Sequence, residues 1–371
     1  MGSGWVKKVF PGGNTCKGFY SFYDYIIKPD AARILVIKGG PGVGKSTFMK
    51  KISETMLANG YDLEFQCCSS DSTSIDGVVI PDIQVALIDG TAPHIVEPKN
   101  PGCVDEIIDL GKFWDEKGLT SKKREIMECN REKGQNFSRA YRFLKAAKDV
   151  YDDLDAVYNE GLNVGKVNKL IHKLLRKIYG RKKVLLRPGE ERHLFASAIT
   201  PTGPINHLDT IVGRVEKRYI LKGAPGPFKS RVVERILEAG IERGCDIEVF
   251  HCALDPDRLE HLLIPDIGMA VVTSEEPHKY EPKPDDEVID LNDCIYKPKL
   301  KRLASVAEYD WKLFFELLNR AVFFLNEAKE VHDEMESYYV PYMDFDAVER
   351  LRKETLQRIL SFAPVNKSPT F

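Results

Sequence analysis

The sequence predicts an α/β protein built from two similar halves, and three observations lead to this prediction. Short apolar segments alternate with longer segments of helical period, which is typical of a mainly parallel sheet covered by helices. Two glycine-rich loops occupy related places, at residues 39–46 and 223–230. Segments that follow the two loops repeat at a fixed distance along the chain. We therefore expect two α/β cores in tandem, each followed by an α-helical module.

The first glycine-rich loop stands between a predicted strand and a predicted helix. Residues 33–38 form an apolar run of strand character, and residues 47–57 carry apolar side chains at helical spacing before Asn59-Gly60. The loop reads Gly39-Gly40-Pro41-Gly42-Val43-Gly44-Lys45-Ser46 and matches the pattern G-x-x-x-x-G-K-[ST]. In this order, backbone N–H groups and the helix N-terminus surround phosphate oxygens. The loop, with Thr47 after it, predicts a P-loop site for a nucleoside triphosphate, and ATP is the cofactor we expect.

The chemistry of such a loop assigns roles to its last two residues and requires a carboxylate nearby. We expect Lys45 to bond the outer phosphates and to stabilise the transferred charge. We expect the Ser46 hydroxyl to bind Mg²⁺, an ion that prefers oxygen ligands. Asp89 ends the apolar run of residues 85–88, and we predict it as the second magnesium ligand and a catalytic carboxylate. The alternative for Asp89 is a turn residue before Gly90.

Two further polar residues are candidates for the same site. His94 follows Asp89 closely enough to face the outermost phosphate, so it is a candidate catalytic residue. A structural histidine bonded to a loop carbonyl is the alternative, which we favour because His278 persists at the matching place in the second half. Asp71, which follows another predicted strand, is a second candidate for water positioning or for the metal site.

The second loop departs from the pattern at informative places. It reads Gly223-Ala224-Pro225-Gly226-Pro227-Phe228-Lys229-Ser230. Phe228 replaces the last glycine, and Thr273 replaces the carboxylate of Asp89. A bulky side chain at Phe228 is expected to crowd the phosphates. We therefore predict one working nucleotide site in the first half and a pseudo-site in the second.

Comparison of the chain with itself sets the predicted domain boundaries. The segment Ile80-Pro81-Asp82-Ile83 returns as Ile264-Pro265-Asp266-Ile267, an offset of 184, and Tyr158 matches Tyr339 at an offset of 181. We predict a first unit of residues 1–187, with an α/β core to about residue 116 and a helical module over about 117–187. The second unit is then residues 188–371, with a core to about residue 298 and a module over about 299–371.

Composition and charge limit the partners. The chain has 371 residues, of which 43% are hydrophobic and 30% charged, so it is large enough for two folded domains. We find no signal peptide and no apolar stretch that would span a bilayer, so we expect a cytoplasmic protein without a membrane partner. Eight cysteines occur without a C-x-x-C pair, which indicates reduced thiols rather than a zinc or disulfide scaffold.

The helices offer two surfaces that we consider for macromolecular partners. The apolar faces of residues 140–158 and 321–339 are expected to pack within the protein, and a protein partner on the helical modules is the alternative. Residues 169–183 form a basic amphipathic helix. Such a helix usually packs its apolar stripe on the protein and exposes its charged face to solvent. A nucleic-acid surface is the alternative, but the net charge of −2 gives the chain no general attraction to nucleic acid.

Specific stretches of the chain also resemble a known family. Phe10-Pro11-Gly12-Gly13-Asn14-Thr15, the complete first loop and Asp89-Gly90-Thr91-Ala92-Pro93-His94 together resemble an uncharacterised family of tandem-duplicated P-loop ATPase-like proteins of firmicute bacteria. The resemblance covers nearly the whole chain. It implies ATP binding at Lys45 and Ser46, and it leaves the second loop in doubt.

The residues and the resemblance lead to one expected function and two alternatives. We expect an ATP-binding protein that acts as a slow Mg²⁺-dependent nucleoside triphosphatase, a hydrolase of the P-loop class. The first alternative is a small-molecule or nucleotide kinase, with residues 122–131 as the candidate lid. The second alternative is a nucleotide-sensing scaffold that binds ATP without hydrolysing it. Turnover per site separates these functions.

Overall fold

The computed structural model describes residues 4–180, 182–226 and 228–363. Pro227 of the second loop and Arg181 of the basic segment lie outside these residues, so the predictions that include them have no structural outcome at those positions. The helices are α1 (Lys45–Ala58), α2 (Glu116–Ser121), α3 (Lys123–Glu160), α4 (Val164–Tyr179), α5 (Leu208–Val212), α6 (Phe228–Ile241), α7 (Lys297–Leu300), α8 (Ala304–Tyr339) and α9 (Phe345–Leu360).

The first sheet has six strands in the order β1-β5-β6-β7-β4-β8. Its strands are β1 (Val6–Val9), β4 (Arg33–Lys38), β5 (Leu63–Cys67), β6 (Ile75–Ile80), β7 (Val85–Asp89) and β8 (Asp105–Asp109). Five strands run in one direction, and β6 alone is antiparallel to both of its neighbours. The sheet is therefore mixed but mostly parallel, as the alternation of strands and helices predicts.

The second sheet has the same arrangement, in the order β9-β13-β14-β15-β12-β16. Its strands are β9 (Glu191–Phe195), β12 (Lys217–Lys222), β13 (Ile247–His251), β14 (Leu259–Ile264), β15 (Met269–Ser274) and β16 (Glu287–Asp290). Again one strand, β14, is antiparallel to its neighbours. Two short hairpins complete the strands: β2 (Gly12–Thr15) with β3 (Gly18–Ser21), and β10 (Ser197–Thr200) with β11 (Gly203–Asn206).

Short connections explain why β6 is reversed. Only residues 68–74 separate β5 from β6, and a turn over Pro81–Ile83 with Gln84 in the left-handed region leads from β6 into β7. A parallel crossover needs about a dozen residues or more, whereas an antiparallel pair can be joined by a short turn. The three strands therefore form a meander inside the sheet. This meander brings the start of β6 to the same edge as the ends of β4 and β7.

The chain divides into two compact units that are discontinuous in sequence. Unit 1 comprises the described parts of Met1–Gly12, Ser21–Ser138 and Phe324–Phe371, and unit 2 comprises Gly13–Tyr20 and Arg139–Phe323. The units therefore do not coincide with the consecutive halves expected from the sequence, residues 1–187 and 188–371. The physical reason is that α3 and α8 are long helices, of 38 and 36 residues, whose second parts pack in the other half's unit.

Each unit has its own apolar core between sheet and helices. In unit 1, α1 buries Phe48, Met49, Ile52 and Met56 against the sheet, and α9 packs beside α1. Helix α1 ends at Ala58 and is followed by Asn59 and Gly60. Gly60 has a φ of 81°, as expected for a glycine after a helix. In unit 2, α4 packs on α6 through its apolar stripe while most of its charged residues are exposed. The basic segment is thus a charged face over a packed stripe, as far as it is described.

Two properties of the described residues concern helices that could span a membrane and the state of the cysteines. None of the helices there combines the length and the apolar character that a bilayer span requires. All eight cysteines are free thiols, and five of them are buried.

Candidate functional site

The first glycine loop lies in unit 1 at the carboxyl edge of the sheet. It follows β4, which is hydrogen-bonded to β7 on one side and β8 on the other. Ligands of open α/β sheets bind at this edge. Three glycines of the loop have positive φ angles: Gly39 at 152°, Gly42 at 69° and Gly44 at 85°. At Gly39 a Cβ atom would also lie 2.8 Å from a methyl of Val43, so this position accepts only glycine without rearrangement.

Lys45 and Asp89 meet at this edge, as the sequence predicts. The ammonium of Lys45 donates to the carbonyl oxygens of Gly39 and Gly40 at 2.9 Å each, and it lies 3.6 Å from Oδ2 of Asp89. The other oxygen of Asp89 accepts hydrogen bonds from the backbone and side chain of Thr91. Asp89 therefore serves both as a turn residue and as a counter-ion of the loop lysine. Both side chains are mostly buried.

Ser46 connects the loop to β6. Its Oγ accepts the backbone N–H of Ile75 at 3.1 Å. Asp76 comes directly before Gly77, which pairs with Ile88, the residue before Asp89. Asp76 therefore lies near Ser46 and Asp89 at the edge where the loop sits. Asp76 is not among the residues predicted from the sequence, although a carboxylate inside the apolar run of residues 75–80 is a signal that identifies it.

His94 contacts a buried polar cluster. Its ring stacks on Tyr23 with centroids 4.7 Å apart and planes 8° from parallel, and its Nε2 lies 3.8 Å from Oδ1 of Asp76. The hydroxyl of Tyr23 donates to Oδ2 of Asp76 at 2.9 Å. Burial raises the pKa of Asp76, and the neighbouring charge of Asp89 acts in the same direction. Nε2 of His94 thus faces a carboxyl, and its ring stacks on a tyrosine.

Asp71 is held by its own turn and by α8. Its Oδ1 accepts from the backbone and hydroxyl of Thr73, and its Oδ2 lies 3.5 Å from the ammonium of Lys329. Burial acts to raise the pKa of Asp71, but the bonds from Thr73 and the charge of Lys329 outweigh burial and lower it. Asp71 is thus an ionised partner of Lys329.

The end of α8 covers the first loop. Oε1 of Glu336 accepts the backbone N–H of Gly42 with a nitrogen–oxygen distance of 3.0 Å. A Cβ atom at Gly40 would lie 3.3 Å from the ring of Tyr339, and one at Gly42 would lie 3.2 Å from Val340. A carboxylate oxygen therefore already bonds a loop amide. No local pattern in the sequence distinguishes Glu336 from the other charged residues of its helix.

The second glycine loop, in unit 2, has a different arrangement. The ring of Phe228 is buried in the core and fills the space beside Gly226, where a Cβ atom would collide with it. Phe228 therefore packs inward, which adds a core contact to the crowding expected from the sequence. The ammonium of Lys229 forms an ion pair with Glu275, and its side chain is only 2% exposed. The lysine that would meet a phosphate is thus neutralised inside the protein.

One more ion pair and one hydrogen bond lie beside the Lys229–Glu275 pair. Arg258 bonds Asp155 at 2.8 Å, and Tyr151 donates to Glu275. A cavity of about 30 Å³ lies among these groups. Pockets for small-molecule ligands measure roughly 300–1,000 Å³, so this space suits a water or two rather than a nucleotide.

Metal binding and similarity to known proteins give no independent assignment of the first loop. Within residues 4–180, 182–226 and 228–363, no three His, Cys, Asp or Glu side chains are arranged to hold a metal ion. Any function must be inferred from the residues and geometry of the loop itself. Comparison of the chain with protein-family models, with curated proteins and with solved structures gives no match.

Proposed function

We propose that the chain binds the triphosphate of ATP at the first glycine loop and hydrolyses it slowly with Mg²⁺. One observation carries the proposal. In the loop that matches G-x-x-x-x-G-K-[ST], the N–H of Gly42 bonds an anionic oxygen at 3.0 Å while Lys45 lies at the same loop. Free backbone donors and the start of α1 are the groups that bind phosphate in such loops. The positive φ angles of the glycines support the same interpretation.

The charged side chains of the loop fit the roles expected of them. Lys45 exchanges its bonds to two backbone carbonyls for bonds to phosphate oxygens, which costs little because both are hydrogen bonds to oxygen. Asp89 keeps the turn through Thr91 and directs its second oxygen into the site. Lys45 stabilises the charge that develops on the transferred phosphoryl group.

Ser46 and Asp89 fit a magnesium site that the nucleotide completes. The Ser46 oxygen accepts a single N–H from Ile75, and Asp89 has one oxygen facing Lys45. Each residue can therefore supply an oxygen ligand to a hard cation. Mg²⁺ often takes only one or two protein ligands and obtains the rest from phosphates and water. When bound, it neutralises charge on the outer phosphates.

His94 acts by positioning in this proposal. Its stacking on Tyr23 and its approach to Asp76 fix the buried polar cluster beside Asp89. Asp76 in turn lies on the strand whose first N–H bonds Ser46. Replacement of His94 by alanine is therefore expected to change ATP turnover less than replacement of Lys45.

We further infer that the two units are copies of one P-loop NTPase-like core and that unit 2 holds a pseudo-site. The identical strand orders and the repeated segments support duplication. The Lys229–Glu275 ion pair and the buried Phe228 support loss of nucleotide binding in unit 2. A cytoplasmic location, where ATP and reduced thiols are abundant, fits the proposal.

The main alternative is a scaffold that binds ATP without turnover. The charged network of unit 2 favours it, because this unit uses its loop lysine structurally rather than for catalysis. A kinase has less support from its candidate lid, since Arg131 bonds Glu128 on its own helix. A protein or nucleic-acid partner on the helical modules remains a separate hypothesis.

The test measures ATP binding and phosphate release by the purified protein with Mg²⁺. We expect one ATP per chain, and we expect Lys45→Ala to weaken binding about tenfold or more, since it removes charged hydrogen bonds. Lys51→Ala is the matched control, because Lys51 lies on the same helix but pairs with Glu349. Equal effects of the two substitutions would contradict the proposal, and two equivalent sites would contradict the pseudo-site. Binding without release identifies the scaffold, and release only with an added acceptor identifies a kinase.

A further inference from the structure

The carboxylate of Glu336 occupies the place where a loop amide would meet phosphate. It bonds Gly42 at 3.0 Å, and the residues after it, Tyr339 and Val340, pack on the loop glycines. The side chain of Glu336 is 41% exposed, so it can swing away without opening a core. An anionic phosphate oxygen and this carboxylate oxygen require the same N–H donor. The two cannot bond Gly42 at once.

Several charges hold Glu336 in its ionised form. Nε2 of His332 lies 3.5 Å from Oε1 of Glu336. The bond from His332 is the largest influence that lowers the pKa of Glu336, and the Gly42 N–H and the charge of Lys329 add to it while burial opposes them. Glu336 is therefore a true counter-ion for the positive end of the loop.

Lys133 of α3 is a cation within electrostatic reach of Glu336 and Lys45. On α3 it follows Ile126 and Cys129 at helical spacing, and these two residues pack on Met335 of α8. Lys133 is half-buried, and within the described part of the chain its ammonium has no hydrogen bond or ion pair. Burial is the largest influence and lowers the pKa of Lys133; Cys129 and the charge of Glu336 oppose it, and the charge of Lys45 adds to it. A half-buried lysine without a bonded partner is available to an incoming anion.

We propose that Glu336 is a built-in substitute for a phosphate group at the first loop, and that the phosphate chain of a nucleotide displaces it and takes Lys133 as an additional ligand. This inference deepens the proposed function and rests on it. The free protein keeps its loop ordered by the internal carboxylate. The nucleotide must break the bond between Glu336 and Gly42, which lowers its affinity. Its new contact with Lys133 offsets part of this loss.

Unit 2 supports the assignment by contrast. The offset that relates Tyr158 to Tyr339 also relates Asp155 to Glu336. Asp155 bonds the side chain of Arg258 at 2.8 Å instead of a loop amide. A carboxylate at this helical position therefore bonds an arginine in unit 2, whereas in unit 1 it bonds, besides His332, a backbone donor that a ligand can also bond.

The test compares affinities for Mg²⁺-ATP and for inorganic pyrophosphate by calorimetry. We expect Glu336→Gln to bind both about tenfold more tightly, because the charged competitor is removed. We expect Lys133→Gln to bind both about tenfold more weakly. Glu330→Gln and Lys145→Gln are the matched controls on the same helices, since both side chains are exposed, and they should leave affinity unchanged. Glu336→Asp, which keeps the charge on a shorter side chain, is expected to fall between wild type and Glu336→Gln.

The outcomes separate this inference from the proposed function. If the wild type binds ATP through Lys45 but Glu336→Gln and Glu336→Asp bind no more tightly than the wild type, the displacement is wrong and the function stands. If Lys133→Gln binds as the wild type does, Lys133 is not a ligand. If neither the wild type nor the folded variants bind ATP or pyrophosphate, both the function and this inference are overturned.

Discussion

Phe228 offers a quantitative test of how the second loop differs from the first. The sequence places it where the first loop has Gly44, and the structure buries all but 1% of it in the core of unit 2. Its ring packs with Val232 and other apolar residues and fills the space beside Gly226. Phe228→Ala should therefore leave a cavity in the core rather than relieve a crowded loop.

The expected loss follows from measured costs of such substitutions. Replacing a buried phenylalanine by alanine lowers the free energy of unfolding by about 3–5 kcal/mol, which includes the lost transfer energy and the cavity. Phe323→Ala makes the same chemical change in the same unit at a side chain that is 46% exposed, so it should cost about 1 kcal/mol or less. Because both variants replace phenylalanine by alanine, the difference between their losses in unfolding free energy measures the effect of burying the side chain.

The assay is urea unfolding followed by circular dichroism and by tryptophan fluorescence, to which Trp311 contributes from unit 2. A loss below about 1 kcal/mol for Phe228→Ala, or a loss no larger than that for Phe323→Ala, would refute the assignment of Phe228 to the core. Phe228→Ala should also fail to create a second ATP site, because Lys229 remains paired with Glu275.

Two further predictions concern pH. Asp71→Asn keeps the acceptor for Thr73 but loses the charge that faces Lys329, so it should lower stability at pH 7 by about 0.5–1 kcal/mol. Because the pKa of Asp71 is lowered in the folded state, this loss of stability should persist above about pH 4 and vanish as the pH falls through that pKa. Urea unfolding that gives the same stability difference between wild type and variant at pH 7 and at pH 3 would contradict the prediction. Burial lowers the pKa of His278 from 6.5 to about 4, so its neutral form should contribute about 3 kcal/mol above pH 6.5 that is lost as the pH falls toward 4. Unfolding curves of His278→Gln should therefore depend less on pH in this window than those of the wild type, and parallel pH profiles would rule the contribution out.

Local patterns were sufficient for the elements that carry the first loop. The structure confirms a strand at residues 33–38, and the helix expected at 47–57 extends over 45–58. Apolar periodicity identifies such elements because each strand and helix buries its own face. The reversed strand β6 was missed, although the seven polar or small residues before it are too few for a crossover.

Long-range assembly was not accessible from the sequence. The offsets of 184 and 181 identify equivalent segments, but a repeat does not determine which copy of a helix packs on which sheet. For this reason the predicted halves differ from the compact units. Glu336 could not be predicted as a contact of the first loop for the same reason, because 294 residues separate it from Gly42. Lys45 and Asp89, by contrast, come together through adjacent strands and were predicted.

The ion pair of Lys229 with Glu275 explains how the second loop can contain a buried lysine. A buried ammonium without an opposing charge costs several kcal/mol, so a loop that holds no phosphate must supply its own anion. In unit 1 the residue at the matching place is Thr91, which only braces Asp89; in unit 2 it is Glu275, which pairs with Lys229. At the place of Asp89, unit 2 has Thr273, and its carboxylate stands two residues further along the chain, at Glu275, where it pairs with Lys229. If unit 2 holds the pseudo-site we propose, Glu275 rather than the bulk of Phe228 is the residue that keeps Lys229 from a phosphate.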